Sequence, residues 1–547
     1  MSRKLANATE NIVWIGLMII IIAIIGAALM YFQPWKLLLV EEHKVKLEQR
    51  DVNSITIAGK FEPAGLNPYT SSYYSTVLLA KLLYSGLVEF DEKSNPEADL
   101  VEIVPSSDNG GVSADGKTVT YKLRKDVLWS DGQPFGAKDV IETWKYIMSS
   151  KKVNRRVGYD QITTIDLVDD NTVAVHFKQY YPEYLTLFPV ILPAHLLTGN
   201  PEKIEREPVG TGPYMLKEWM LGDCLMLAAN DNYFKGKPKI GIAKVKFIGE
   251  TKLLLAQLKA GKLDIAPDID LQQLGLLKTF KDYSLVLQPT LELERLDFNT
   301  DSPLFKDEKI RCAIALAVDK KYICKNLLND AVILSANYVA PFSELYNAEV
   351  VDKYDVQAAK TLLADNGWSP GIDGVLTKAG VRLSFGLSVN AKDINRMVIA
   401  ENIASGLREI GIEAVIVKVP DETFAKTITA GNFQMTLYTI MMYPDFGGDM
   451  LWSSTQVPTA ANGYSGRNFS RFKDPRIDKL FQEIAGSQSI AGRKTNVLQV
   501  QKYLSEAMPS IPLFYYQSVN MVRKELKNFK PGAVFASEYR NAYLWQW

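Results

Sequence analysis

The sequence predicts an α/β protein of two or three lobes, and three observations carry that prediction. The chain has 547 residues, far more than one hydrophobic core organises. Strand and helix alternate in its second half: Arg382–Val389 reads as a strand, Ile394–Ile410 as a long helix and Glu413–Val419 as a strand. That alternation implies substantial parallel pairing. Phe433–Met442 is apolar on both parities, as a strand covered on both faces must be.

Composition narrows the function classes. A hydrophobic content of 47% with 23% charged residues is that of an ordinary globular protein. The 62 basic and 62 acidic residues cancel, which argues against nucleic acid or an anionic surface as the main partner. Three histidines, none in HxxxH or HExxH spacing, give no zinc motif, and nothing in the pattern asks for a metal or cofactor. GxSxG is absent, and each of the three cysteines lies in an apolar context without a histidine nearby. A hydrolase needs a nucleophile beside a base, so binding is favoured over catalysis. The 26 tyrosines and 9 tryptophans suit a packed core and equally a cleft that is both apolar and wet.

At the N-terminus Ser2-Arg3-Lys4 precedes Ile12–Phe32, an uncharged run of about 21 residues, enough to cross a bilayer. A cleaved signal peptide has an apolar region of only about 7–15 residues. The run is therefore expected to be a transmembrane anchor from Ile12 to Phe32, with Arg3 and Lys4 holding the N-terminus in the cytoplasm. Ala27-Ala28 is a weak alternative cleavage site. Residues 36–53 are charged and read as a stalk.

The folded part begins with the strand Ser54–Ile57 and the loop FEPAGLNPYTSSYYS, which carries Tyr69, Tyr73 and Tyr74. Val77–Tyr84 is helical, and GLVEFDE returns to strand. Val119, Tyr121 and Leu123 alternate with Thr118, Thr120 and Lys122, the period of a half-buried strand. Asp115-Gly116 and Asp131-Gly132 supply turns on either side. Ala137, Val140, Ile141, Trp144 and Ile147 then recur at helical spacing to about Met148, with Trp129 placed to pin the turn between strand and helix. Asp160–Phe177 gives two strands with His176 on the second. LPAHLL follows at 192–197, with His195 in it. VGTGPY (209–214) places two glycines and a proline in six residues, a backbone excursion no ordinary strand needs.

Lys244–Phe247 is a strand, Thr251–Ala260 a helix, and GKLDIAPDID a strand ending in a loop that contains Asp268. Ile310, Ala313, Ile314 and Ala317 fall on one helical face, and Asp319 is placed to cap the next helix. Cys312 and Cys324 lie twelve residues apart, roughly 18 Å along a straight helix. Only a bend near Asp319 would let them pair, and both read first as buried free thiols. Ala358–Asn366 is a helix ended by Gly367-Trp368. The buried strand Phe433–Met442 runs into Tyr443-Pro444-Asp445-Phe446-Gly447-Gly448-Asp449, which places Asp445 on rigid support. Ile511–Tyr516 is a strand, and residues 518–547 add strand and aromatic ends.

Three of these stretches share an origin. LRKDVLWSDGQPFGAKDV (123–140) resembles the signature of the family 5 extracellular solute-binding proteins, the oligopeptide- and dipeptide-binding components of bacterial ABC importers. VGTGPY with NDNYFKGKP (230–238), and LDFNTDSPLFKDEKIRCAIALAVDKKYICKNLL (296–328), resemble two further elements of that family, in the same order. Gly136 stands where the family usually has threonine, so a capping hydroxyl is missing. The resemblance covers roughly residues 54–530. It implies a two-lobed periplasmic-binding-protein fold with a double crossover, and the uncharged run places one N-terminal transmembrane helix before it. Carried over, lobe I is 54–87, 205–298 and 515–547, with an inserted subdomain at 88–204, and lobe II is 299–514. No cysteine lies near the anchor to carry the lipid common in this family.

Such proteins bind and do not catalyse. The resemblance implies a peptide held between the lobes like an added strand, delivery to the permease subunits of an ABC transporter, and an extracytoplasmic binding domain tethered to the membrane. It gives Asp445 the α-ammonium of the peptide, with Asp449 as rival. Tyr443 and Phe446 flank that residue, and Tyr69, Tyr73 and Asp268 border the ligand. Nickel complexes, haem or oligosaccharides are alternative family ligands, and a ligand sensor without transport is an alternative role.

Overall fold

A computed structural model of the chain describes residues 51–547 apart from 72, 154–155, 445–447 and 488–489. The expected anchor Ile12–Phe32, nearly all of the stalk, and Asp445 and Phe446 lie outside the described residues. Among the described residues no helix is long and apolar enough to cross a membrane.

The unit Asn53–Trp547 is organised on one mixed sheet. Its principal strands and those of a smaller sheet are, in chain order, β1 (Ser54–Gly59), β2 (Thr118–Lys122), β3 (Ile162–Asp169), β4 (Thr172–Phe177), β5 (Tyr214–Met220), β6 (Cys224–Ala229) and β7 (Ile242–Phe247). They continue with β8 (Ile265–Ala266), β9 (Tyr283–Phe298), β10 (Val332–Leu334), β11 (Ser384–Asn390), β12 (Glu413–Val419), β13 (Met435–Met441) and β14 (Ser510–Arg523). Across the large sheet the order is β12-β11-β13-β9-β14-β8-β1-β7-β6-β5, with β10 added on β14. The principal helices are α1 (Tyr74–Leu83), α2 (Ala137–Ser149), α3 (Glu308–Ala317), α4 (Val356–Asp365), α5 (Ile394–Glu409), α6 (Pro475–Gly486) and α7 (Ile490–Ala507).

The expected alternation is present: β11 runs parallel to both β12 and β13, with α5 as the crossover. β13 is buried along most of its length, so its apolar residues on both parities are a consequence of two covered faces. At the other end of the sheet β1 is parallel to β7 and β8. β2, β4 and β3 form a separate antiparallel sheet, on which α2 packs. β5 and β6, a hairpin, and the helices α6 and α7 were not anticipated.

The apolar residues segregate into distinct cores. Leu296, Phe298, Ile314, Leu387, Ile403 and Leu437 belong to one. Ile55, Leu79, Leu82, Val245 and Trp545 belong to another, and Trp129, Val140 and Val175 to a third. The two longest strands run through more than one. β9 sends Tyr283 into a core with Val519 and Met521 of β14, and ends with Leu296 and Phe298 in the core of α3 and α5. β14 starts there with Ile511, Leu513 and Phe514. The pair is antiparallel, with register breaks between Pro289 and Leu293 and between Glu294 and Arg295.

α3 stops at Ala317 and the chain bends, with Asp319 accepting the Tyr322 N–H at 2.8 Å. The bend does not join the thiols: Cys224, Cys312 and Cys324 are all free. Burial pushes the Cys312 thiol up to about 11 and the Cys324 thiol up to about 12, which makes both poor nucleophiles at neutral pH.

Candidate functional site

The signature stretch acts as a brace. Trp129 is fully buried, and its indole N–H donates to Asp139 Oδ2 at 3.3 Å. The same oxygen accepts the Gly136 N–H at 2.9 Å, while Oδ1 accepts the Ala194 N–H at 2.8 Å. Asp139 thus supplies the reciprocal half of a capping box, its carboxylate reaching back from the third position of the helix to the Gly136 N–H, and it ties α2 to the LPAHLL segment. The VGTGPY glycines serve close approach. A Cβ on Gly210 would lie 1.8 Å from the Leu83 carbonyl oxygen, and one on Gly212 would lie 2.4 Å from the Leu83 carbonyl carbon. The turn is bonded through its backbone to Leu83, at the C-terminus of α1, and to Ser130, in the turn that precedes α2. Neither stretch presents chemistry.

Chemistry gathers instead around the middle of β9 and β14. Glu292 and Glu294 share one face of β9. Glu294 is fully buried and bound by Arg396 of α5 (Nε–Oε1 2.8 Å, Nη2–Oε2 3.2 Å), by the Tyr516 hydroxyl at 3.1 Å and by the Thr439 hydroxyl. A second charge pair, Arg295 with Asp297, lies fully buried on the opposite face, its guanidinium 4.9 Å from the Trp452 ring centroid. Three fully buried charges, with Arg396 half-buried beside them, are tolerable only because each has a partner.

Glu292 differs. Its register partner is Met441, and Met442 donates to the Leu291 carbonyl at 2.8 Å, so Glu292 stands beside the C-terminal end of β13. Burial, followed by the charges of Asp268 and Glu538, pushes its carboxyl up to about 7, against the opposing pull of Arg396. Asp268 sits in a left-handed backbone conformation (φ 48°), its N–H donating to Asn520 Oδ1 at 3.3 Å. Burial raises its carboxyl too, with Lys60 opposing. Glu538 is buried; its Oε1 accepts the Ser518 hydroxyl at 2.9 Å, and Ser518 is 3.4 Å from Asn520 Oδ1. Tyr74, at the start of α1, packs edge-on to Phe535 at 5.6 Å.

Of the residues expected at the ligand, Asp268 joins this group. Tyr443 is half-buried with the Arg467 guanidinium 5.7 Å from its ring centroid. Asp449 begins the short helix Asp449–Trp452, whose buried Trp452 packs 4.6 Å from Tyr338. Tyr69 is turned inward: its ring meets Tyr159 and its hydroxyl donates to the Val190 carbonyl. Tyr73 is 74% exposed, and Tyr74 rather than Tyr73 faces the acids. Glu292, Glu294, Arg396 and Glu538 were missed. Their sequence signal is faint, because a charged residue in a strand reads as solvent-facing until its partners are known.

The residues 102–460 match the family model described as bacterial extracellular solute-binding proteins, family 5 Middle. The oligopeptide-binding protein AppA of Bacillus subtilis is 27% identical over 86% of this chain and 87% of its own length. The dipeptide-binding protein of Escherichia coli is 27% identical over 85% of this chain and 90% of its own. Among solved structures, NikZ from Campylobacter jejuni in complex with Ni(L-His) is 28% identical, with a TM-score of 0.71 over 91% of this chain and 100% of that one. HbpA2 from Haemophilus parasuis, at 22% identity and a TM-score of 0.78, shares the fold. With the family model matching well over half of its length, the chain belongs to the bacterial extracellular solute-binding proteins, family 5.

Proposed function

We propose that this protein captures peptides in a cleft between two lobes and delivers them to an ABC importer from a membrane tether formed by Ile12–Phe32. In this reading lobe I is 54–87, 205–298 and 515–547 with the insertion 88–204, and lobe II is 299–514. The observation that carries it is the course of β9 and β14. Each passes from one core to another, and the charged groups lie where it crosses, so two bodies hinged on these strands would close on a ligand there. A ligand touching both bodies favours the closed state. Relatives named for oligopeptide and dipeptide binding support a peptide as that ligand.

Asp445, which follows β13 in the sequence, is the proposed anchor for the peptide's α-ammonium. Calorimetry on wild type and Asp445→Asn, with a free-amine peptide and its N-acetylated form, tests this. The variant should weaken the free-amine peptide by about 1.5–3 kcal/mol, roughly 10- to 150-fold, and leave the acetylated peptide's weak binding alone. Equal loss for both peptides, or loss confined to Asp449→Asn, would reassign the anchor. A nickel complex is the second reading, favoured by the 28% identity to a protein solved with Ni(L-His). Metal analysis and mass spectrometry of co-purified ligand separate the two.

A further inference from the structure

A cavity of about 480 Å³ is lined by α3 and the turn after it, the segment 336–353, Trp452, α7 and the start of β14. None of Asp268, Glu292, Glu294, Arg396 and Glu538 lines it. Its wall is built before any ligand enters. Gln501 of α7 is fully buried and spends its amide on the facing segment: Oε1 accepts the Asn347 N–H and Nε2 donates to the Leu345 carbonyl, both at 2.8 Å. Asn337 Oδ1 accepts the Val339 N–H at 2.9 Å. Lys320 and Asp352 meet in the wall at 2.8 Å with side chains 7% and 8% exposed. The exposed charges of the lining, Glu349, Lys353, Lys502 and Glu506, are two of each sign. Ala315, Leu316, Leu504, Met508 and Ile511 supply apolar wall. One polar group is left over. Trp452 lines the cavity and is 1% exposed, and its indole N–H is buried without a hydrogen-bond partner. Its ring packs 4.6 Å from Tyr338 and 4.9 Å from the Arg295 guanidinium. A buried donor in this condition costs stability until an acceptor reaches it.

We propose that this cavity is a separate ligand site, for a small uncharged molecule with an apolar body and an accepting oxygen, such as a lactam or a ketone, whose oxygen takes the Trp452 N–H. Its volume falls within the roughly 300–1,000 Å³ of small-molecule sites. The lining decides the class. Lys320 is already neutralised by Asp352, so an entering ion would lose its water without gaining a free counter-charge. A neutral molecule meets no such cost. Its body removes apolar surface from water, and its oxygen satisfies the donor that the protein leaves unpaired. The site shares no residue with the proposed peptide anchor and does not rest on the capture reading.

The test uses the full chain in detergent, with ε-caprolactam as the probe and hexanoate, hexylammonium and zwitterionic aminocaproate as its charged counterparts of similar size. Calorimetry and Tm follow binding. Caprolactam should bind wild type and raise its Tm. Trp452→Phe keeps a ring but loses the N–H, and should weaken caprolactam roughly 2- to 12-fold. Ala315→Phe puts a ring into the cavity and should abolish binding; should Trp452→Phe not fold, this variant decides alone. An unchanged affinity in Trp452→Phe would overturn the role given to its N–H, and a charged probe binding as tightly as caprolactam would overturn the uncharged class. Equal caprolactam binding by wild type and both variants would place it elsewhere, and no binding to wild type at tens of millimolar would leave the cavity to water; either result overturns the proposal. Peptide capture by Ala315→Phe should match wild type, and its loss would overturn the separateness of the site. A chain that captures no peptide yet binds caprolactam through Trp452 sinks the capture reading alone.

Discussion

Asp139→Ala should be among the most damaging single changes to this protein, although Asp139 touches no expected ligand residue. The carboxylate accepts the Gly136 and Ala194 N–H groups and the Trp129 indole N–H at 2.9, 2.8 and 3.3 Å. Alanine leaves three donors unpaired, the buried Ala194 N–H and Trp129 indole N–H and the partly buried Gly136 N–H, each worth about 1–3 kcal/mol. The 3.3 Å bond belongs at the low end of that range, and relaxation or an admitted water recovers part of the total. A net loss of about 3–5 kcal/mol follows. Asp139→Asn refines the reasoning. Its one remaining oxygen can serve Gly136 and Trp129, which share Oδ2, but its amide then points a donor at the Ala194 N–H. Its cost should be about 2 kcal/mol, clearly less than alanine's. Urea unfolding followed by far-UV circular dichroism and tryptophan fluorescence measures both, with the two probes checked for coincidence because a protein of several cores need not unfold in one step. A shift below about 1 kcal/mol for Asp139→Ala, or the same loss for both variants, would refute the account of the brace.

Two further outcomes follow from the same coordinates. Gly210→Ala places a Cβ 1.8 Å from a backbone oxygen that cannot move aside and should cost 3 kcal/mol or more, whereas Gly199→Ala, with nothing within 4 Å, should be neutral; comparing their Tm values checks it. Glu292 is raised to about 7 from an ordinary value of 4.5, so the ligand-free folded state binds a proton across that window that the unfolded chain has lost. The penalty for ionising it is absent below about pH 4.5 and complete above about pH 7. Glu292→Gln should therefore raise the Tm of the ligand-free protein at pH 8 and change it little at pH 4.5, and an equal effect at both would count against the assignment.

The sequence by itself determined the fold class, the family and the elements with clean periods. Strand β2, helix α2, the α5 crossover and the doubly buried β13 were legible because each repeats its apolar residues at the spacing its own geometry demands. The glycines of VGTGPY were legible as a forced excursion, though not the reason for it, which is the Leu83 carbonyl packed against Gly210 and Gly212. Tertiary structure alone decided the roles of the charged residues. Glu292, Glu294, Arg295 and Asp297 give β9 the look of a solvated segment, and only its neighbours show that Glu294 finds Arg396, Arg295 finds Asp297, and Glu292 finds no ion-pair partner among the described residues. Tyr69 and Tyr74 lie five residues apart, one in the loop before α1 and one at its first position, yet one is turned inward and the other faces Glu538. The physical reason is common to these cases. Period reports which face of an element is buried, a local property of the chain, whereas a buried charge is settled by partners that lie 102 residues away for Arg396 and Glu294, a separation no local pattern encodes.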